Sequence, residues 1–181
     1  MNKLGGFTLV ELMITLAIAV ILLTIGVPSF NTAIKNNRLT TATNDLVAVL
    51  NLARSEAVTR GLRVTVCKSA DQATCTSDNG WEQGWIAFSD ENNNAAYNSG
   101  GTPPETLLRV HSTLGNQITA TGNANVADYI SYISTGQSQM IGGAFQAGTI
   151  KLCDDRAEDV GKDLVINSTG RVRTDSGVTC P

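Results

Sequence analysis

Glu11 stands at the head of an apolar stretch that carries no other charge until Lys35. Within hydrocarbon an ionised side chain costs about 2.5–3.5 kcal/mol at the bilayer centre, so its presence there implies a partner that offsets the charge. At the other end of the chain, Gly170-Arg-Val-Arg173 follows a turn-forming Thr169-Gly170 pair. A strand leaving that turn places Arg171 and Arg173 on one face with Val172 facing inward. At ~3.3–3.4 Å per residue the two guanidinium groups are about 6.6–6.8 Å apart, a spacing that suits neighbouring phosphates. The surroundings are not basic. Residues 150–181 carry five basic and six acidic side chains, and Asp154, Asp155 and Asp175 are placed to pair with the two arginines. Two phosphate contacts give a salt slope of about −1.8, hence weak and salt-sensitive binding by one copy.

Other chemistry finds little support. The sole histidine, His111, sits on an expected strand without a nucleophile elbow or local triad pattern. No phosphate-cradling Gly-x-Gly-x-x-Gly or Walker sequence occurs. We therefore expect no catalytic residues, no enzyme activity and no cofactor. Asp90, Asn92 and Asn94 place oxygen ligands at alternating positions, as in a calcium loop. The sixth position is Ala95 where glycine belongs, and the twelfth is Gly101 where a bidentate glutamate belongs. The expectation is an Asn-rich turn and no metal.

The elements that position these residues are legible from pattern. The 181-residue chain has a formal charge of −3, which excludes a polybasic nucleic-acid binder, and 5% aromatic residues, which suits a small, loop-rich β core. Cys67, Cys75, Cys153 and Cys180 have no Cys-x-x-Cys spacing and fit two disulfides in an oxidising compartment. Of three possible connectivities, Cys67–Cys75 and Cys153–Cys180 each close a local loop. Phe7 to Val27 supplies 21 residues, about 31 Å of helix, enough to span a bilayer. Pro28 lacks an N–H and crowds the carbonyl of Thr24, so a kink is expected there. Leu39, Ala42, Leu46, Val49, Ala53 and Ala57 then recur at helical steps as far as Gly61, a C-terminal stop. Beyond it the period changes to two. Candidate strands are 62–68, 85–89, 107–111, 129–134, 149–153, 164–167 and 171–174. A long helix laid on a mainly antiparallel β-sheet head is an α+β architecture.

Gly6-Phe7-Thr-Leu-Val-Glu11, followed by Pro28, resembles the type IV pilin superfamily. The resemblance implies a leader, residues 1–6, that a prepilin peptidase removes by cutting between Gly6 and Phe7, with N-methylation of the new Phe7 amine. It implies that residues 7–27 form a transmembrane and polymerisation helix, that 28–61 continue it as an amphipathic stem, and that 62–181 form a periplasmic head. The subunit would sit in the bacterial inner membrane before joining a pilus or pseudopilus of other pilin subunits. Glu11 would neutralise the Phe7 amine of a neighbour and set axial register. Residues 53–61 (Ala-Arg-Ser-Glu-Ala-Val-Thr-Arg-Gly), Trp81-Glu-Gln-Gly-Trp85 with Phe88 and Asp90, and Ser168-Thr-Gly-Arg-Val-Arg173 are similar to the minor pilins and pseudopilins called FimT, FimU and GspH. For the FimT type, the Gly-Arg-x-Arg pattern implies that Gly170, Arg171 and Arg173 bind double-stranded DNA during uptake. The alternative implied by the same chassis is a GspH-like pseudopilin of type II secretion, or a FimU-like tip subunit, that binds no nucleic acid.

Overall fold

The computed structural model describes residues 6–115, 117–123, 125–156 and 159–180. Most of the expected leader therefore lies outside the described residues, as does Pro181. The chain divides into two compact units, Met1–Arg38 and Leu39–Pro181. One helix, α1 (Leu9–Arg60), runs through both and is continuous at Pro28. Thr32 donates its hydroxyl to the Pro28 carbonyl at 3.1 Å, an in-helix bond that needs no contribution from the missing proline N–H. The helix ends where Gly61, at φ +70, donates its N–H to the Ala57 carbonyl at 3.0 Å. Only a residue that tolerates the left-handed region stops a helix this way at little cost.

In the second unit α1 buries one stripe: Leu39, Ala42, Thr43, Leu46, Val49, Leu50, Ala53 and Ala57. Asn44, Asn51, Ser55 and Thr59 face solvent. Each fully buried leucine of the stripe contributes about 1.5–3 kcal/mol relative to exposure. The surface it covers is made by two four-stranded antiparallel sheets. The first has the order β3-β2-β1-β5, with β1 Val64–Lys68, β2 Trp85–Ser89, β3 Leu107–His111 and β5 Tyr129–Tyr132. The second has the order β4-β6-β7-β8, with β4 Ile118–Gly122, β6 Gly148–Asp154, β7 Gly161–Ile166 and β8 Val172–Val178. A single 3₁₀ turn, Trp81–Gln83, precedes β2. Helix and both sheets share one core that includes Leu46, Val66, Trp81, Tyr132, Leu152 and Leu164. Trp81 and Trp85 are both fully buried, so the pair is core and not surface.

The sequence pattern places one sheet where there are two, and it misses β4. Ile118-Thr-Ala-Thr-Gly122 does alternate, with Ile118 and Ala120 buried and Thr119 and Thr121 exposed, but the run is short and lies among glycines and asparagines. The last strand also shifts by one residue. Arg171 lies in the turn and β8 begins at Val172. The disulfides join Cys67 to Cys75 and Cys153 to Cys180.

Two cations are buried in the head. Lys68 spends its three donors on the Ser77 and Asn79 carbonyls, at 2.9 and 2.8 Å, and on the Asp128 carboxylate at 3.0 Å. Arg63 donates to Asn93 Oδ1, to Ser131 Oγ and to both oxygens of Gln139, at 2.7–3.1 Å. Satisfied donors of this kind make a buried charge tolerable.

Candidate functional site

At the N-terminal end, Gly6 and Phe7 precede α1, and Phe7 is 88% exposed. Thr8 caps the helix. Its hydroxyl accepts the Glu11 N–H at 3.2 Å while the Glu11 carboxylate accepts the Thr8 N–H at 3.4 Å. This reciprocal pair is a capping box, which satisfies two backbone donors that a helix start otherwise leaves open. The carboxylate also sits at the positive end of the helix dipole. Glu11 therefore has an in-chain role, and its remaining lone pairs stay available to a cation. The pattern Thr8-x-x-Glu11 is readable in the sequence, yet attention to the charge hides it. Around it, Leu9, Val10, Leu12, Met13, Ile14 and Leu16 are all more than half exposed.

At the C-terminal end, the β7–β8 turn is built by Asn167. Its carbonyl accepts the Gly170 N–H at 2.9 Å, and its side-chain oxygen accepts the Arg171 N–H at 2.9 Å and the Thr169 hydroxyl at 2.7 Å. Gly170 adopts φ +79 against the loop that contains Gly136, and a Cβ there would stand 2.1 Å from the Gly136 carbonyl oxygen. Arg54 of α1 holds the same two loops, donating to the Gly136 carbonyl at 2.9 Å and to the Thr169 carbonyl at 3.2 Å. Gly170 is thus required by conformation and close approach, whatever the turn binds. Asn167 and Arg54 are the positioning residues that the sequence pattern does not announce, since Arg54 acts across 82 residues to Gly136 and 115 to Thr169.

Arg171 and Arg173 are both exposed. Arg173 pairs with Asp175 at 3.0 Å, with side chains 70% and 45% exposed, a contact worth ~0–1 kcal/mol. Arg171 bonds only through its backbone among the described residues. Asp154 is engaged by Arg156.

The Asp90 loop is a hydrogen-bonded turn. Asp90, fully buried, accepts the Thr65 hydroxyl and the Asn94 and Ala95 N–H groups at 2.8–3.1 Å. Glu105 accepts the Asn98 N–H at 2.7 Å, and burial, reinforced by the charges of Asp90 and Glu91, pushes its carboxyl above the usual range. Among the described residues no group of three or more His, Cys, Asp or Glu side chains is placed to hold a metal. His111 stacks on Trp85 with ring centroids 4.2 Å apart, and its Nε2 lies 3.3 Å from Asp45 of α1, a strand-to-helix tie.

Comparison with known proteins places this geometry. The model of a family described as Type II transport protein GspH matches residues 42–170, and that of the prokaryotic N-terminal methylation motif matches residues 1–27. A search of curated proteins by sequence returned no match. Among solved structures, the type IV minor pilin FimU of Pseudomonas aeruginosa is similar at a TM-score of 0.58 and 22% identity, over 81% of this chain and 95% of that one. The minor pseudopilin EpsH of the Vibrio cholerae type II secretion system is similar at a TM-score of 0.50 and 10% identity, over 81% of this chain and 99% of that one. At such identities the structural likeness establishes the fold alone: a long N-terminal helix on antiparallel sheets. The methylation motif and the apolar helix mark a membrane-anchored subunit that assembles with other pilins, and neither family nor fold is that of an enzyme. With the GspH match spanning most of its length, the chain belongs to the GspH family, the minor pilins and pseudopilins of type IV pili and type II secretion.

Proposed function

We propose that the chain is a minor type IV pilin that enters or tips a pilus through its N-terminal helix and contacts DNA phosphates through Arg171 and Arg173. In this reading prepilin peptidase cuts between Gly6 and Phe7 and Phe7 is N-methylated. Residues 7–27 are held in the inner membrane, 28–61 form the stem, and the head lies in the periplasm. Glu11 pairs with the Phe7 amine of a neighbouring subunit. The observation that carries the DNA contact is the rigid turn: Asn167, Gly170 and Arg54 fix a backbone from which two exposed guanidinium groups project. Such contacts position DNA without reading its sequence, and many copies, or a tip clustered with other subunits, raise the weak affinity of each.

A second reading is a pseudopilin of type II secretion, or a priming subunit at a pilus tip, without DNA binding. The family description favours it, as does Asp175, which already engages Arg173. Titration of the full-length chain in detergent against labelled duplex DNA separates the two. Salt-sensitive retardation that disappears in Arg171→Ala plus Arg173→Ala supports the first reading. Retardation unchanged by the double substitution, or absent at low salt, leaves the second.

A further inference from the structure

Four strands form the margins of the two sheets: β3 and β5 in the first, β4 and β8 in the second. A sheet margin offers unpaired N–H and C=O groups to any extended chain that meets it, and folds usually block it. β5 is covered by the segment that follows it. Ser138 bridges to Tyr132, the Gln139 N–H donates to the Ser131 carbonyl at 3.0 Å, and the Gln146 side chain bonds Ser131 N–H and the Tyr129 carbonyl. β4 is covered at its centre by Glu82, which accepts the Ala120 N–H at 2.9 Å. β8 is bent at Gly177, φ +77, beside a register shift at Gly161/Lys162, and it carries Arg173 and Asp175. Bends and charges of this kind discourage pairing.

Among the described residues β3 is covered by no following segment or side chain. Its bulge sits at Leu108, where the register to β2 skips from Arg109 to Leu107, and the stretch from Arg109 to His111 stays regularly paired. The Asp90 N–H donates to the Arg63 carbonyl, and the Ser89 N–H to Thr106, so Trp85, Ala87 and Ser89 are the β2 residues whose backbones face β3. Their partners are His111, Arg109 and Thr106, which leaves the Val110 backbone turned away from β2. No described backbone group pairs with that outer side. Leu107 and Val110 each remain 37% exposed. Beside the strand, Arg109 and His111 line a groove of about 160 Å³ with Asp45, Ala48 and Leu52 of α1. The Arg109 guanidinium has no ion pair or hydrogen bond among the described residues.

We infer that the outer margin of β3 is a strand-addition site for an extended segment of a partner protein, with an apolar side chain beside Val110 and a carboxylate on Arg109. Main-chain bonds to Val110 supply the affinity and Arg109 supplies the choice of partner. A second copy of this chain is the wrong occupant. In the antiparallel registers that pair the outward face of Val110, Arg109 meets Arg109, His111 or Thr113 of the other copy. None gives it a carboxylate, and the Arg109–Arg109 register sets like charges directly opposite, which disfavours pairing. The inference is independent of whether Arg171 and Arg173 meet DNA.

The test uses the full-length chain in detergent and a labelled synthetic peptide that alternates valine and threonine around a central glutamate. Saturable binding is expected, with slowed hydrogen exchange at the Val110 amide. Val110→Pro removes only an outward N–H, which an edge strand tolerates, and should weaken binding by at least about tenfold. Arg109→Glu should invert the preference towards a lysine peptide. N-methylating the peptide at the residue opposite Val110 should abolish binding without touching the protein, which keeps the test valid if Val110→Pro fails to fold. Equal binding of glutamate and lysine peptides, an unprotected Val110 amide, or self-association of the chain through β3 overturns the inference.

Discussion

The two halves of α1 treat the same kind of side chain in opposite ways. From Leu39 to Ala57 the apolar residues are buried on one stripe against the sheets, and the polar residues face water. From Leu9 to Val27 nearly every residue is apolar and exposed, on all sides of the helix. A helix apolar all round has no single face to bury in its own domain and needs partners beyond it. The stem is therefore stabilised within the chain and the N-terminal half by what lies outside it.

Substitutions in the two halves sharpen that contrast. Leu46→Ala empties a fully buried site and should destabilise the head by about 2–5 kcal/mol, read as a fall in the melting temperature of the detergent-solubilised chain. Leu16→Ala, at a site 57% exposed, should leave that melting unchanged. Equal effects would show that the halves are not energetically distinct. A glycine pair extends the comparison. Gly170→Ala forces a Cβ onto the Gly136 carbonyl in a left-handed backbone and should cost about 1–3 kcal/mol from the conformation alone, with the clash in addition. At Gly6 a Cβ meets nothing within 4 Å, so Gly6→Ala should not move the head's melting at all.

The smallest effect concerns acidity. Burial raises the Glu105 carboxyl above its model-peptide value of 4.5. The folded head then binds this proton more tightly than the unfolded chain, so the contribution is full below about 4.5 and declines as pH rises through the folded value. Glu105→Gln should flatten the stability profile above pH ~4.5, measured as melting temperature against pH. A wild-type profile that rises steadily through that window would contradict the sign.

Much of this was legible in the sequence. The stem stripe, its stop at Gly61, the strand positions of β2 and β3 and the α+β class all follow from periodicity and turn chemistry, because those signals are local. β4 escaped because a five-residue strand among glycines has too little pattern to stand out. Arg63 and Arg54 escaped for a different reason. Their partners at residues 93, 131, 136, 139 and 169 are set by tertiary structure, and no spacing announces them. Thr8 is the instructive case, since its capping role is local and visible. The Thr8-x-x-Glu11 spacing spells a capping box on its own, whatever the Glu11 charge costs in an apolar run.

The cap at Thr8 and Glu11 decides how the proposed polymerisation segment should be tested. Glu11→Ala removes both the charge and the capping acceptor. Glu11→Gln keeps an acceptor for the Thr8 N–H, as capping boxes allow, and deletes only the charge. The measurement is incorporation of the Glu11→Gln chain into filaments, scored beside its N-terminal mass. Normal loss of residues 1–6 with failed incorporation is the result expected if a neighbouring amine is the partner; filaments that contain the variant at wild-type levels would contradict it.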